Sequence, residues 1–584
     1  MQKPRIARYV KFSSNPLLNK KLPAGRSTLL MFTFALAFLA LVLRAIWVQI
    51  ADHDFYEQQG EIRFARSLEL PAYRGRVLDR NNQILAESAP AKNLWATPQD
   101  LELSADQLAS LSHILGLPAT ELSQKLNDKQ RSFVWIDHQL SLPIAQQVAA
   151  LKVKGLYFGS EYKREYPEAE YSSNIVGFTN IADKGQEGIE LEFNKELSGQ
   201  PGSRHVIKDR LGRVIEDIDN QVSPKNGQDI QLSIDSRIQY LAYKDLSEAV
   251  QDNKAKAGSV VVLNARTGEV LALANYPTYD PNQRQNLSGS ALRNRAVTDA
   301  FELGSVMKPI TMGTALELHR VTPQETINTS PGRYRFAGAT ISDVSDHGVL
   351  TMEGVIEKSS NIGMTVVSQK LQAQEMWSTF TKLGFGQRPD IEFPGVTPGR
   401  LRSWKTWKPI EQATMAYGYG MSSSLLQLAH AYTAFTNDGK VLPLSILKRD
   451  AAPEGTYVYS PAVAAEMRHM LWIAAGSGDR KSRLQPPSYS VGGKSGTSRE
   501  AIGGAYAAGK YRASFAGIAP IEHPDVIVAV TIDAPSAGAY FGAVVAGPVF
   551  SKVVEQSLHI MNTAPDYLLS HQSAGQTSKG GNVG

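Results

Sequence analysis

The chain has 584 residues, of which 42% are hydrophobic and 20% are charged. This length exceeds that of one ordinary domain and the composition is that of a protein with packed cores, so two or more folded units are expected. The net charge of +5 is too small to indicate nucleic-acid binding, and the lack of cysteine excludes disulfides, thiolate zinc sites and a lipid-modified cysteine.

The first predicted element is a membrane anchor. An apolar run at 27–43 continues past Arg44 as AIWVQI, and no acidic residue precedes Asp52. A run of roughly 17 to 24 residues can cross a hydrocarbon core about 30 Å thick. The basic residues before it predict a cytoplasmic N-terminus; they are Lys3, Arg5, Arg8, Lys11, Lys20, Lys21 and Arg26. A cleaved signal peptide is disfavoured, because the A-x-A triplet at 35–37 lies inside the apolar run. We therefore expect a basic cytoplasmic tail at 1–26 and a transmembrane helix at 27–50.

Residues 51–225 are predicted to form a mixed α/β domain without catalytic residues. Apolar residues recur at helical spacing in ADQLASLSHIL and PIAQQVAALKV, which indicates helices on a scaffold of strands and loops. The segment 74–85 has two β-rich stretches around Asn81 and Asn82, a pair that favours a tight turn. A hairpin is therefore expected there.

A second domain is predicted at 226–562. It opens with DIQLSID, a helix from about Ser236 to Val250, and two β-branched runs joined by Asn264 to Gly268, which predict an antiparallel hairpin. Helical stretches follow at 422–439 and 460–474, and strands return in YSVGGKSGT, ASFAGIAP and DVIVAVTID. Strands at both ends of the segment and helices between them indicate an α+β fold, an antiparallel sheet flanked by helices. Residues 563–584 are expected to be disordered.

Three short motifs in the second domain could carry chemistry together. They are Ser305-x-x-Lys308, Ser359-Ser-Asn361 and Lys494-Ser495-Gly496-Thr497. A helix that opens at Ser305 would place Lys308 one turn later on the same face, where its amine could take the proton of the serine hydroxyl. Burial or a second cation must first lower the pKa of this lysine. Lys494 could supply that cation, Ser359 could relay a proton, and Asn361 could bind a peptide backbone. The helix N-terminus and the backbone N–H of Thr497 could form an oxyanion hole.

This ordered set resembles the signatures S-x-x-K, S-x-N and K-[ST]-G of the penicillin-binding proteins. RNRAVTDAFELGSVMKP, EKSSNIGM and AYGYGMSSSLLQLAHAYTAFTNDG look like extended family signatures, whereas RGRVLDRN and GQEGIELEFNKELSGQPG look like the pedestal domain of the class B members. Ser495 stands where Thr is commoner, and Asn81-Asn82 stand where Arg-x-Gly would be more typical. The resemblance spans about 60–550.

The resemblance implies a membrane-anchored peptidoglycan D,D-transpeptidase of the bacterial inner membrane with a periplasmic catalytic domain. Ser305, Lys308, Ser359, Asn361 and Lys494 would be catalytic, and the substrate carboxylate would bind at Ser495, Gly496 and Thr497. The substrates would be D-Ala-D-Ala stem peptides, and β-lactams would acylate the same serine. No cofactor or metal is expected, and the implied partner is a polytopic glycosyltransferase of the FtsW type with other division proteins.

Several rival functions share part of this pattern. A cell-division role is favoured over the elongation role of other class B members, because the chain is compact and lacks a long C-terminal extension. A β-lactamase or β-lactam sensor would share the motifs but would be shorter and would lack the pedestal. A non-enzymatic scaffold would not need all three motifs. SYSVGGKS nearly matches a phosphate-binding loop, but its first glycine is Ser488 and the glycines after it argue against the required helix.

Overall fold

The computed structural model describes residues 24–53, 55–56, 65–208, 214–283, 289–477, 482, 484–502 and 505–566. The basic tail before Ala24 and most of the predicted disordered tail therefore lie outside the described residues. Two compact units emerge, Met1–Leu70 with Pro201–Pro224, and Pro71–Gln200 with Lys225–Gly584. The predicted limits of the pedestal and catalytic domains, 51–225 and 226–562, stay predictions.

The first unit contains the anchor helix and a small sheet. Helix α1 is Ala24–Ile46, and one π-helical turn continues it over Trp47–Ala51. The segment Gly25–Ala51 is long and apolar enough to cross a membrane. The strands β1 (Ala65–Leu70), β6 (Gly202–Lys208) and β7 (Val214–Val222) form an antiparallel sheet in the order β1-β6-β7.

The second unit begins with a sheet whose strands lie mostly between Val77 and Glu165. Strand β2 pairs with β3 in the predicted hairpin, and β4 and β5 both pair antiparallel with β3. Helices follow the apolar periodicities noted above and cover one face, where Leu94, Leu111 and Leu122 are buried. The elements are β2 (Val77–Leu78), β3 (Ile84–Ala96), α2 (Ala105–Leu115), α3 (Ala119–Leu126), β4 (Val134–Ser141), α4 (Leu142–Ala150), β5 (Leu156–Glu165), α5 (Ala169–Val176), α6 (Gly188–Glu192), α7 (Asn194–Leu197) and β8 (Ile230–Gln231).

A five-stranded antiparallel sheet follows, in the order β10-β9-β19-β18-β17. The predicted meeting of both ends of this segment in one sheet is confirmed, because β9 lies between β10 and the late strand β19. Alternate residues of β9 face opposite sides, with Val260 and Val262 in one core and Val261 and Leu263 in the other. The strands are β9 (Ala257–Asn264), β10 (Val270–Tyr276), β17 (Gly492–Ile502), β18 (Ala505–Ala519) and β19 (Val526–Asp533).

Helices cover both faces of this sheet, which confirms the α+β prediction. One core includes Leu246 and Phe550 from helices near the two ends of the segment, and the other includes Leu426 and Met467. The helices are α8 (Ser236–Asp252), α9 (Gly289–Leu292), α10 (Arg295–Thr298), α11 (Lys308–Glu317), α12 (Met352–Glu357), α13 (Asn361–Gln369), α14 (Ala373–Lys382), α15 (Pro409–Met415), α16 (Leu425–Thr436), α17 (Pro461–Ala474), α18 (Gly542–Val545) and α19 (Gly547–Ile560).

Three short two-stranded sheets lie between the central helices in the described part of the chain. Strands β11 (Thr326–Asn328) and β14 (Val349–Thr351) pair antiparallel, as do β12 (Arg333–Phe336) and β13 (Ala339–Ser342), and β15 (Lys440–Val441) and β16 (Thr456–Tyr457). The hairpin β12–β13 packs beside α13 through Ile341 and Ile362. This packing brings Asp343, the residue after β13, to the start of α13.

Candidate active site

The segment that carries Ser305 is a single 3₁₀ turn, Gly304–Met307, and the α-helix α11 begins only at Lys308. A helix does begin at this segment, but its first turn is 3₁₀ and not α-helical. The expected placement on one face still holds, because residues three apart eclipse each other in a 3₁₀ turn. Ser305 is half-buried, so a substrate can reach its hydroxyl. Lys308 is fully buried and is not accessible from solvent.

Lys308 contacts the second motif directly. Its Nζ donates to Asn361 Oδ1 at 2.8 Å, to Ser359 Oγ at 3.2 Å and to the Ser359 carbonyl oxygen. Burial lowers the pKa of Lys308 well below its usual range, and the charge of Lys494 lowers it further. The carboxylate of Asp343 acts in the opposite direction. Lys308 of the first motif and Ser359 and Asn361 of the second thus form one cluster around a buried amine with a lowered pKa.

Ser359 adopts a strained backbone conformation in this cluster. Its φ is +58°, a left-handed value that costs a residue with a side chain roughly 1 to 3 kcal/mol. The next residue, Ser360, caps helix α13, and its Oγ accepts from the backbone N–H of Gly363 at 2.8 Å. With this backbone conformation, the carbonyl oxygen and the hydroxyl oxygen of Ser359 both accept hydrogen bonds from the Lys308 amine.

Asp343 holds the second motif from outside it, and sequence reasoning missed this residue. Its carboxylate accepts from the Ser360 hydroxyl at 2.5 Å and from the backbone N–H groups of Asn361 and Ile362 at 2.5 and 3.0 Å. A carboxylate at a helix N-terminus satisfies donors that have no partner within the helix. Asp343 follows strand β13, eighteen residues before Asn361, so no local sequence pattern pointed to it.

The third motif lies on β17, one of the two edge strands of the five-stranded sheet. This strand passes close to the segment around Ser305, because a Cβ on Gly496 would stand 3.0 Å from the carbonyl oxygen of Leu303. A strand, not a helix, follows Ser495, and this geometry is not that of a phosphate-binding loop. The motif therefore borders the residues around Ser305.

Lys494 and Thr497 differ in their surroundings on β17. Lys494 is buried, which lowers its pKa to about 8, and its Nζ donates to the Ser495 carbonyl oxygen at 3.2 Å. Thr497 is half-buried, and its Oγ1 accepts from the backbone N–H of Gly542 at 3.0 Å. That bond orients the hydroxyl while its proton stays available for another acceptor.

Both parts of the chain match known protein families. The penicillin-binding protein transpeptidase domain matches residues 258–555, and the penicillin-binding protein dimerisation domain matches residues 69–232. The transpeptidase-domain structure of penicillin-binding protein 3 from Burkholderia pseudomallei is 48% identical, with a TM-score of 0.53, and the match covers 57% of this chain and 97% of that one.

Curated relatives match over almost the full length. The probable peptidoglycan D,D-transpeptidase PenA of Neisseria gonorrhoeae is 43% identical, with 93% of this chain and 94% of the relative covered. The peptidoglycan D,D-transpeptidase FtsI of Escherichia coli K12 is 36% identical, with 93% of each chain covered. Both family domains and both relatives agree with the resemblance carried by the three motifs. The chain belongs to the penicillin-binding proteins, in the class B group of peptidoglycan D,D-transpeptidases.

Proposed function

We propose that this enzyme cross-links peptidoglycan stem peptides through an acyl-enzyme on Ser305. The observation that carries the proposal is the environment of Lys308, a buried amine with a lowered pKa that is bonded to Ser359 and Asn361. A lowered pKa makes the amine easier to deprotonate, so Lys308 could accept the proton of the Ser305 hydroxyl, three residues earlier in the chain. This arrangement fits a serine acyltransferase better than a binding protein.

The proposed reaction has two steps. The Ser305 Oγ attacks the carbonyl carbon of the penultimate D-Ala while its proton passes to Lys308. The peptide C–N bond then breaks, and the proton returns to the nitrogen of the departing D-Ala, with Ser359 as relay. In the second step an amine of a neighbouring stem attacks the ester, forms the cross-link and restores the Ser305 hydroxyl. Backbone N–H groups at Ser305 and Thr497 would stabilise the oxyanion of each step.

The third motif would recognise the free carboxylate of the substrate. Lys494 offers a positive charge, and Ser495 and Thr497 offer hydroxyl donors on the edge strand β17. Charge-assisted hydrogen bonds distinguish a terminal carboxylate from an internal peptide. Gly496 leaves room for the close approach of β17 to residues 303–308, which we call the nucleophile segment. A β-lactam carries a carboxylate as well and would occupy the same position.

A labelling experiment tests the serine assignment. Ser305→Ala should abolish covalent labelling by a fluorescent penicillin, whereas Ser247→Ala, on helix α8, should label like the parent. Persistent labelling of Ser305→Ala would refute the assignment. The same gel followed over hours tests the β-lactamase alternative, because a transpeptidase holds the label whereas a β-lactamase releases it within one turnover.

The cellular role we propose is septal cross-linking, which the relative named FtsI supports. An elongation-specific class B enzyme is the alternative. Depletion of the protein separates the two, since loss of septal synthesis gives filaments and loss of elongation gives round cells. Round cells would overturn the septal proposal while leaving the chemistry intact.

We further propose a single-pass topology with a cytoplasmic N-terminus and a periplasmic catalytic domain, which the basic residues before the anchor support.

The proposed partner is a polytopic glycosyltransferase of the FtsW type, because a transpeptidase alone makes no glycan strand to cross-link. One face of α1 carries Leu29, Phe32, Leu36, Leu39 and Leu43. These side chains are all more than half exposed and could pack against another membrane helix.

A further inference from the structure

Glu302 lies three residues before Ser305 and bonds to a loop and to a strand end, contacts that the three motifs and the proposed reaction do not explain. Its Oε1 accepts from the backbone N–H of Gly420 at 2.8 Å, and its Oε2 accepts from the Tyr506 hydroxyl at 2.9 Å. Gly420 belongs to the loop between α15 and α16, and Tyr506 lies at the start of β18, where the β17–β18 hairpin reverses. One carboxylate thus bonds to both segments.

Contacts from each segment reach the strand that carries the third motif. The Tyr419 hydroxyl donates to the Thr497 carbonyl oxygen at 3.5 Å, and the Tyr419 ring packs edge-on against the Tyr506 ring, with centroids 6.1 Å apart. The loop between α15 and α16 also abuts the nucleophile segment, because the Gly304 N–H donates to the Gly418 carbonyl oxygen at 3.1 Å. Movement of either segment would therefore displace one side of the reaction site.

The Tyr506 hydroxyl is suited to donate to this carboxylate. Partial burial and the nearby charge of Glu302 raise the pKa of Tyr506, so its hydroxyl keeps its proton at neutral pH. A hydrogen bond from a neutral donor to a carboxylate is stronger than one between neutral groups. The Tyr506 side chain is 50% exposed, so packing alone does not hold it in place.

We propose that Glu302 is a positioning residue that clamps the β17–β18 hairpin against the nucleophile segment and so sets the distance between the edge of β17 and Ser305. This proposal rests on the proposed acylation of Ser305. While the Tyr506 hydroxyl is bonded to Glu302, Thr497 and the residues beyond it on β17 stay fixed along one side of the substrate. With the clamp lost, the hairpin samples wider positions and the substrate is held less often in the reactive geometry.

The test measures acylation of the full-length protein by a fluorescent penicillin. Tyr506→Phe removes one hydroxyl and keeps the ring, and it should lower the second-order acylation rate constant about three- to tenfold. Glu302→Ala should lower the constant at least as much, and Glu302→Gln, which can still accept from Gly420, should restore part of it. Tyr457→Phe is the matched control, because Tyr457 is similarly exposed but lies on β16, and it should acylate like the parent.

The double variant Glu302→Ala/Tyr506→Phe separates a clamp from two independent effects. If the two side chains act through their mutual bond, the double variant acylates no more slowly than Glu302→Ala alone, whereas independent effects would multiply. Hydrogen exchange of the 505–512 amides should rise in both single variants. Parent-like acylation by Tyr506→Phe, or multiplicative effects, would overturn the clamp.

The proposed function can fail separately from the clamp. Labelling of Ser305→Ala would refute the acyl-enzyme on Ser305 whatever the hairpin does. Loss of labelling in Ser305→Ala together with parent-like rates in Tyr506→Phe would reject the clamp alone. Should Glu302→Ala not fold, the more conservative Tyr506→Phe still decides the question.

Discussion

At the scale of single residues, the lowered pKa values of the two buried lysines allow the pH dependence of acylation to be predicted. Lys308 can accept a proton only when it is neutral, so the rate should rise with pH up to its lowered pKa. In the proposed site Lys494 attracts the substrate carboxylate only while it is charged, so the rate should fall as the pH passes its pKa of about 8. The expected profile of acylation by penicillin is a bell whose alkaline limb lies near pH 8. A rate that still climbs beyond about pH 9, one unit above that limb, would contradict the assignment of Lys494.

Asp343 provides a second prediction at this scale. Asp343→Asn removes the negative charge at the start of α13 and leaves the Ser360 hydroxyl and two N–H groups with a weaker acceptor. Acylation should slow about tenfold. Because Asp343 raises the pKa of Lys308, its loss should also move the acid limb of the pH profile to lower pH.

Asp346→Asn is the matched control for this experiment. Asp346 lies on the same loop but accepts from the Ser330 hydroxyl and the Gly348 N–H, outside the second motif. Its substitution should leave the acylation rate within about twofold and the acid limb in place. An unshifted acid limb in Asp343→Asn would remove Asp343 from the electrostatics of Lys308.

At the scale of elements, the loop at 416–421 passes so close to Gly304 that we expect substitution of Gly418 to destabilise the protein. Gly418 has a φ of +88°, and a Cβ there would stand 2.2 Å from the Gly304 carbonyl oxygen. Gly418→Ala should therefore combine backbone strain with a clash and destabilise the protein by about 2 kcal/mol or more. Thermal unfolding followed by fluorescence measures the loss.

Gly338→Ala separates the strain from the clash. Gly338 has a similar φ of +83° in the β12–β13 turn, but no heavy atom lies within 4 Å of the place that an added Cβ would take. This variant should cost only about 1 kcal/mol, the strain alone. Equal losses in the two variants would show that the contact between Gly418 and Gly304 can relax without cost.

At the scale of the whole molecule, the anchor should contribute more than attachment. Replacement of residues 24–51 by an unrelated transmembrane helix of the same length should leave penicillin labelling intact, because the three motifs proposed to be catalytic all lie beyond Gly304. Septal recruitment or stimulation of glycan polymerisation should fall, because the proposed partner contacts one face of the helix. Full cell division with the foreign helix would reject that contact.

A narrower pair of variants tests the face itself. Alanine at Leu36 and Leu39 removes part of the proposed stripe, whereas alanine at Phe34 and Phe38 changes the opposite face, where the side chains are also exposed. Only the first pair should impair recruitment. Equal effects from both pairs would indicate that hydrophobicity, not a specific contact, matters.

Local patterns in the sequence determined much of this protein. The anchor, the hairpins at 74–85 and 257–277, and the helices after Ser424 and Ser460 follow from periodicity and capping, which neighbouring residues specify. The order of the three motifs identified the family. Only the tertiary structure decided which distant groups meet, such as Asp343 with Asn361 and Glu302 with Tyr506. It also decided how far the pKa of Lys308 falls below its usual range, because desolvation depends on packing from the whole domain, which no local pattern encodes.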